Sequence, residues 1–186
     1  MGVWQAWGVA WRTWAFWRSQ LLTLLLLLAV VLAVQWWQTR DIPPQPPNPE
    51  QPWPLVQVGA PSSTLKLSDW RAAHPGKVLA LHVWADWCPI CRAEEASVTR
   101  VQTDWPVMTI AMRSGDAAQV EKVMRQRGLS WPAWVDERGV WAQQLGVGAV
   151  PAFLVLDAQG QIRASSVGYT TEWGMLLRLW WVRLVY

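Results

Sequence analysis

Between Val78 and Cys91 the chain reads VLALHVWADWCPIC, an apolar run that turns polar and closes on two cysteines. Val78 to Trp84, apolar but for His82, has the length and character of a strand buried on both faces. From Pro89 to about Thr103 the composition is helical, with Arg92, Glu94, Glu95 and Arg100 as its polar positions. Proline suits the first helical position, where its missing N–H has no intrahelical partner to lose. The cysteines therefore fall at a strand-to-helix junction. Cys88 is placed where unpaired N–H groups and the helix dipole stabilise a thiolate. Cys91, one turn further in, should be more buried and titrate nearer its normal pKa. That asymmetry assigns roles: Cys88 is the nucleophile that attacks a sulfur, and Cys91 resolves the mixed disulfide. The competing reading is an inert bridge, but closing so short a loop adds little stability through chain entropy.

Downstream, strand and helix character alternate. Val107 to Met112 reads as a second buried strand, Ala117 to Arg127 as a surface helix ended by Gly128, and Trp134-Val135 as a short strand element. Ala152 to Leu156 and Ile162 to Val167 flank the turn Asp157-Ala158-Gln159-Gly160 and predict a hairpin. A last helix is expected from about Thr170 to Leu184. This order gives an α/β domain with a mixed central sheet flanked by helices. In the last helix Trp173, Leu176, Leu177, Trp180, Trp181 and Leu184 recur on a helical period and read as a core face. Contact with a membrane or a partner is the other reading.

Upstream, Leu21 to Val34 is apolar apart from Thr23, and Trp36-Trp37 follows. With the Trp/Phe-rich approach from Trp14 this is long enough for a spanning helix, and tryptophans at both ends suit the headgroup regions. We assign 1–19 as a Trp-rich N-terminal segment, 20–38 as a transmembrane signal-anchor helix, 39–54 as a Pro-rich linker and 55–186 as the α/β domain. Trp4, Trp7, Trp11, Trp14 and Trp17 share a helical face; an interfacial helix and a plain approach to the span both fit. Arg12 and Arg18 precede the span, which favours a cytoplasmic N-terminus and an exported domain. A cleaved signal peptide competes with the anchor and places the domain on the same side. The linker PPQPPNPEQPWP (Pro43 to Pro54) can form neither helix nor central strand and reads as a semi-rigid spacer.

Composition narrows the function. The 186 residues carry a formal charge of +3, without a Lys/Arg cluster in the domain, so a nucleic-acid partner has little support. Two cysteines cannot build a multi-bridge scaffold. The two histidines, His74 and His82, are not spaced from them as in any zinc module, and Arg92 rather than His follows Cys91, which excludes a haem attachment. No metal and no cofactor is expected, because the electrons reside on sulfur. Eighteen tryptophans against two Phe and two Tyr mean that Trp fills core sites elsewhere given to Phe.

A strand, then Trp84-Ala85-Asp86-Trp87-Cys88-Pro89-Ile90-Cys91, then a helix resembles the thioredoxin superfamily, and Gly146-Val147-Gly148-Ala149-Val150-Pro151-Ala152-Phe153 resembles its downstream proline segment. The resemblance covers Leu55 to Tyr186 and implies a thioredoxin-like fold. It implies that Pro151 is a cis-proline facing the cysteines and that Val150 offers backbone groups to a substrate strand. Within the superfamily the chain is similar to the membrane-anchored TlpA/ResA/DsbE-like proteins of the bacterial envelope. Glu94 matches a glutamate that group carries three residues after its second cysteine. The Cys-Pro-Ile-Cys pair also resembles the oxidoreductases linked to suppression of copper sensitivity (ScsD-like).

His82 stands where thioredoxins carry a buried acid; a proton relay to Cys91 and a packed, hydrogen-bonded core histidine are both open. Glu94 joins it as a candidate relay. Trp87 either shapes the substrate surface beside Cys88 or simply shields the loop. Asp86 and Glu95 read as a rim acid and a solvated helix position. Ile90 replaces a proline of strongly reducing members, which leaves the direction of electron flow open. The resemblance implies a protein-disulfide oxidoreductase held by a single pass in the bacterial inner membrane, its domain facing the periplasm. Its partners would be envelope proteins with thiols or disulfides and a membrane redox partner, in contact with the lipid bilayer. The alternative is a non-catalytic module of the same fold that binds copper, a soft cation suited to two thiolates, or an apoprotein.

Overall fold

The computed structural model describes residues 14–46, 52–53, 55–60 and 66–186. The chain divides into two compact units, Met1–Trp37 and Gln38–Tyr186. The first is dominated by helix α1 (Trp14–Thr39). Its segment Phe16–Thr39 is, by length and composition, long and apolar enough to cross a membrane, and none of it is buried. At 1.5 Å per residue it measures about 36 Å. The two hydroxyls nearest its start are satisfied within the helix: Ser19 donates to the Phe16 carbonyl at 2.8 Å and Thr23 to that of Ser19 at 2.9 Å. That is how a polar group is made tolerable in hydrocarbon. The helix runs unbroken across the expected boundary at 19/20. Trp4, Trp7 and Trp11 lie outside the described residues.

The second unit begins with a departure from the expected spacer. Ile42 packs against the domain core, Pro46 is buried, and the Pro44 carbonyl accepts from the Ile162 N–H at 2.7 Å. Trp53 is buried with its ring 4.5 Å from that of Trp141. Proline lacks an N–H but keeps its carbonyl, and Ile42 and Trp53 give the segment apolar side chains to bury. The described part of 39–54 is therefore a strap fastened to the domain rather than a free spacer. At Gly146 (φ 73°) a Cβ would run into the backbone carbonyl of Asp41, so the close approach of the strap requires glycine there.

The strap leads into β1 (Val56–Gln57), α2 (Leu67–Ala72), β2 (Leu79–Trp84), α3 (Pro89–Asp104) and β3 (Val107–Met112). Then follow α4 (Ala117–Arg127), β4 (Ala133–Asp136), α5 (Val140–Gln144), β5 (Ala152–Leu156), β6 (Ile162–Val167) and α6 (Glu172–Val185). The six strands form one sheet in the order β1-β4-β3-β2-β5-β6. β2, β3 and β4 run parallel, and β1, β5 and β6 pair antiparallel with their neighbours. β2 is central and wholly buried. Its residues alternate between two cores: Leu79, Leu81 and Val83 face α2 and α5, while Ala80 and Trp84 face α3, α4 and α6.

Local chemistry sets the ends of these elements. Asp116 caps α4 by accepting from the Gln119 N–H at 2.8 Å, and Gly128 closes it in the left-handed conformation. The hairpin turn is built on buried Asp157, which accepts from the N–H groups of Gln159 and Gln161 and, at 2.6 Å, from Arg163. Thr171 caps α6. The core face of α6 differs from the one expected. Met175, Leu179 and Val182 are buried; of the expected set only Leu176 packs against the core, partly buried, whereas Trp173, Leu177, Trp180, Trp181 and Leu184 are exposed. An all-round apolar helix carries two stripes, and periodicity alone does not choose between them.

Candidate active site

The site is assembled where β2 gives way to α3. Cys88 is the N-cap of α3, with extended backbone (φ −86°, ψ 113°) and Pro89 behind it. Its sulfur accepts the Cys91 backbone N–H at 3.1 Å. This is an otherwise orphaned N–H of the first helical turn, so the sulfur serves as the cap that Ser or Asp usually supplies. Both cysteines are free thiols and both are buried. The Cys88 thiol lies 3.7 Å from the Val150 carbonyl oxygen, and the Val150–Pro151 bond is cis. One loop thus brings Val150, and with it Pro151, beside Cys88. Trp87 and Ile90 are exposed on either side of it, and the Trp87 indole N–H donates to the Arg113 carbonyl at 3.0 Å.

Behind the pair the environment is apolar. Cys91 is pushed well above the ordinary thiol value, first by burial and then by the Cys88 sulfur beside it, with the charge of Glu94 adding to the shift. Glu94 is 1% exposed, and burial raises its carboxyl from 4.5 to about 7. A hydrogen bond from the Thr170 N–H, at the start of the α6 region, opposes that rise and fixes the carboxylate in place. Glu94 therefore combines electrostatic reach to Cys91 with a proton affinity near neutrality, which suits a proton acceptor.

His82 is wholly buried, and burial lowers its pKa from 6.5 to about 3, so the ring is neutral. It packs edge-on to Trp131 at 6.0 Å and beside Phe153 at 6.4 Å, and neither ring nitrogen has a hydrogen-bond partner among the described residues. The geometry gives it packing and no hydrogen bond to Cys91 or Glu94. His74 lies elsewhere, its Nδ1 2.9 Å from the Trp70 carbonyl oxygen. Among the described residues no three or more His, Cys, Asp or Glu side chains are grouped to hold a metal.

Two supporting residues were not legible beforehand. Arg127, at the end of α4, pairs with Glu95 at 2.8 Å and donates to the Asp86 carbonyl at 2.8 Å. Their side chains are only 18% and 16% exposed. Glu95 is thus a partly buried partner that ties the loop before Cys88 to α3, not a solvated helix position. Ser114 takes the other side of that loop: its hydroxyl accepts the Asp86 N–H at 3.0 Å and lies 3.1 Å from the Met112 carbonyl oxygen. Arg127 and Glu95 are 32 residues apart, so no local pattern announces the pair.

A cysteine-capped helix beside a cis-proline loop, both set on a mixed sheet, defines a thioredoxin-like protein, and solved structures of that fold superpose on the chain. They include a secreted thiol-disulfide isomerase of Corynebacterium glutamicum, at a TM-score of 0.59 and 22% identity over 69% of this chain and 81% of that one. StoA of Bacillus subtilis matches at a TM-score of 0.54 and 19% identity, over 74% and 98%. The Redoxin family model matches residues 49–174, and the chain belongs to that family. Among relatives, a thiol:disulfide interchange protein DsbE of Allochromatium vinosum is 33% identical over 125 residues, 63% of this chain and 69% of its own. A thioredoxin-like protein of Haemophilus influenzae is 26% identical over 104 residues, 55% of this chain and 62% of its own. The chain spans roughly half to two thirds of the length of the first relatives it matches.

Proposed function

We propose that this chain is a membrane-anchored thiol–disulfide oxidoreductase whose domain faces the periplasm and exchanges disulfides with envelope proteins. The observation that carries the reading is the unequal pair: the Cys88 sulfur accepts a helix N–H beside cis-Pro151, while Cys91 is buried next to Glu94. The names of the relatives, thiol:disulfide interchange and thiol-disulfide oxidoreductase proteins, support the same chemistry.

As a reductant, the Cys88 thiolate attacks one sulfur of a substrate disulfide. A Cys88–substrate S–S bond forms, the substrate's own S–S bond breaks, and the departing thiolate takes a proton. A substrate strand is held by the backbone of Val150 and flanked by Trp87. Cys91 then passes its proton to Glu94 and attacks the Cys88 sulfur, releasing the second substrate thiolate. The Cys88–Cys91 disulfide remains, two electrons having moved to the substrate, and a membrane dithiol partner returns the pair to the reduced state. The reverse sequence donates the disulfide to a client dithiol. His82 acts here as packing beneath the site.

Trapping tests this directly. A Cys91→Ser variant in cells should accumulate mixed disulfides through Cys88 that collapse on reduction and vanish in Cys88→Ser. If no such adducts form, the exchange reading fails. Tight, chelator-resistant binding of cuprous ion by the reduced wild type, without adducts, would favour the metal-binding module instead.

A further inference from the structure

The outward stripe of α6 is the largest unexplained feature of the domain. Leu177, Trp180, Trp181 and Leu184 lie on one side of the helix, opposite the buried Met175, Leu179 and Val182, and Leu184 is 79% exposed. Soluble domains seldom present a contiguous Trp/Leu surface of this kind to water. After Glu172 at its start, which pairs with Arg100, α6 carries Arg178 and Arg183 and no further acidic side chain. The Arg183 guanidinium stacks over the rings of Trp180, at 5.3 Å, and Trp105, at 5.8 Å.

What covers this surface is indicated by where the chain enters the domain. The Pro44 carbonyl is bonded to the N–H of Ile162. Next along β6, Arg163 lies 4.1 Å over the ring of Tyr186, and Tyr186 packs edge-on to Trp181 at 5.7 Å. The C-terminal half of α6 and the incoming strap therefore occupy the same end of the domain. The tether is short: Ile42, already packed on the core, donates to the Thr39 carbonyl at the end of α1, with only Arg40 and Asp41 between. Three residue steps span at most about 10 Å.

We infer that the C-terminal half of α6 rests in the headgroup region of the bilayer, as a second contact beside the anchor. Tryptophan and leucine exposed on a helix face, with Arg183 among them, are the chemistry of an interfacial helix, and Arg183 complements anionic lipid. This rests on the reading of α1 as a membrane anchor. It also orients the active site. Leu79, Leu156 and Ile162 are paired neighbours at the strap end of the sheet, whereas Val83 and Ala152 pair at the end nearest Cys88 and Pro151. β2 spans about 20 Å between those ends. Docking by Leu184 and Trp181 thus turns the cysteines away from the lipid, toward incoming proteins.

The test uses the full chain with Cys88→Ser and Cys91→Ser, one nitroxide-labelled cysteine, and nanodiscs of phosphatidylethanolamine and phosphatidylglycerol holding one chain each. Access to dissolved oxygen is compared with access to a water-soluble nickel chelate at Leu26→Cys in α1, Leu184→Cys in α6 and Gln119→Cys on α4. The expected result is loss of nickel access at Leu26 and Leu184, with Gln119 freely accessible. Nickel access at Leu184 equal to that at Gln119, with Leu26 protected, overturns the docking and leaves the anchor standing. Nickel access at Leu26 as well overturns the anchor and the docking together. If Leu184 is open at single occupancy but shows spin–spin broadening at higher loading, the stripe joins two copies and lipid docking is wrong.

Discussion

The backbone N–H of Cys91 points at the sulfur of Cys88, 3.1 Å away, while the Cys91 thiol itself is buried in the apolar core beneath. The same residue thereby donates to its neighbour's sulfur and resists charge on itself. In the proposed exchange Cys91 loses a proton to resolve a mixed disulfide, and the carboxyl that acts on it electrostatically is Glu94, raised to about 7.

Removing that acceptor should slow resolution and spare the first attack. In Glu94→Gln, decay of a preformed Cys88 mixed disulfide is expected to fall by about 10²-fold at pH 7, within the usual range for a lost general base. Formation of the adduct should change little. Stopped-flow measurement of both phases checks this; equal slowing of the two would indicate a structural defect instead.

Stability should depend on pH with two opposing contributions. Glu94 is raised in the fold from 4.5 to about 7 by burial, so its contribution is full below pH 4.5 and is lost as pH rises through 7. His82 is lowered from 6.5 to about 3 by burial, so its contribution is full above pH 6.5 and is lost as pH falls through 3. The two slopes oppose each other between pH 4.5 and 6.5, each limited to about 1.4 kcal/mol per pH unit. Urea unfolding of Glu94→Gln should show stability rising more steeply across that window than in wild type. Coincident pH profiles would contradict the assignment.

The cysteine junction, β2, β3, α4 and the β5–β6 hairpin were legible because their signals are local. They rest on a two-sided apolar run, Pro89 after Cys88, Gly128 at the end of α4, and the turn from Asp157 to Gly160. β1, α2 and α5 span two, six and five residues, too short for periodicity to register. The burial of Glu94 and the Arg127–Glu95 pair depend on contacts distant in sequence. The outward stripe of α6 cannot be told from its core stripe in the sequence because both faces are apolar. The strap is not legible in the sequence because a Pro-rich composition describes backbone stiffness and not what Ile42 and Trp53 bury.

Arg127 should matter more than its place at a helix end suggests. Arg127→Ala strands Glu95 in a partly buried position and frees the Asp86 carbonyl, a loss of about 1–3 kcal/mol. Arg127→Ala with Glu95→Ala should recover part of it. A urea-unfolding double-mutant cycle checks this, and additivity of the two changes would remove the pair as a support of the Cys88 loop.

Gly146→Ala should detach the strap without unfolding the sheet. The added methyl meets the Asp41 carbonyl, and φ 73° is itself unfavourable for alanine. Limited proteolysis should cut between Arg40 and Pro46 in the variant and spare wild type. An unchanged digestion pattern would show that the strap tolerates the collision.

The division of labour between the two sulfurs is tested most directly by alkylation of the reduced protein at pH 7, read at each cysteine by peptide mass. The expected result is modification of Cys88 while Cys91 stays unmodified, Cys91 reacting only after denaturation. Comparable rates at both sulfurs, or Cys91 reacting first, would contradict the assignment of Cys88 as nucleophile and Cys91 as resolving thiol.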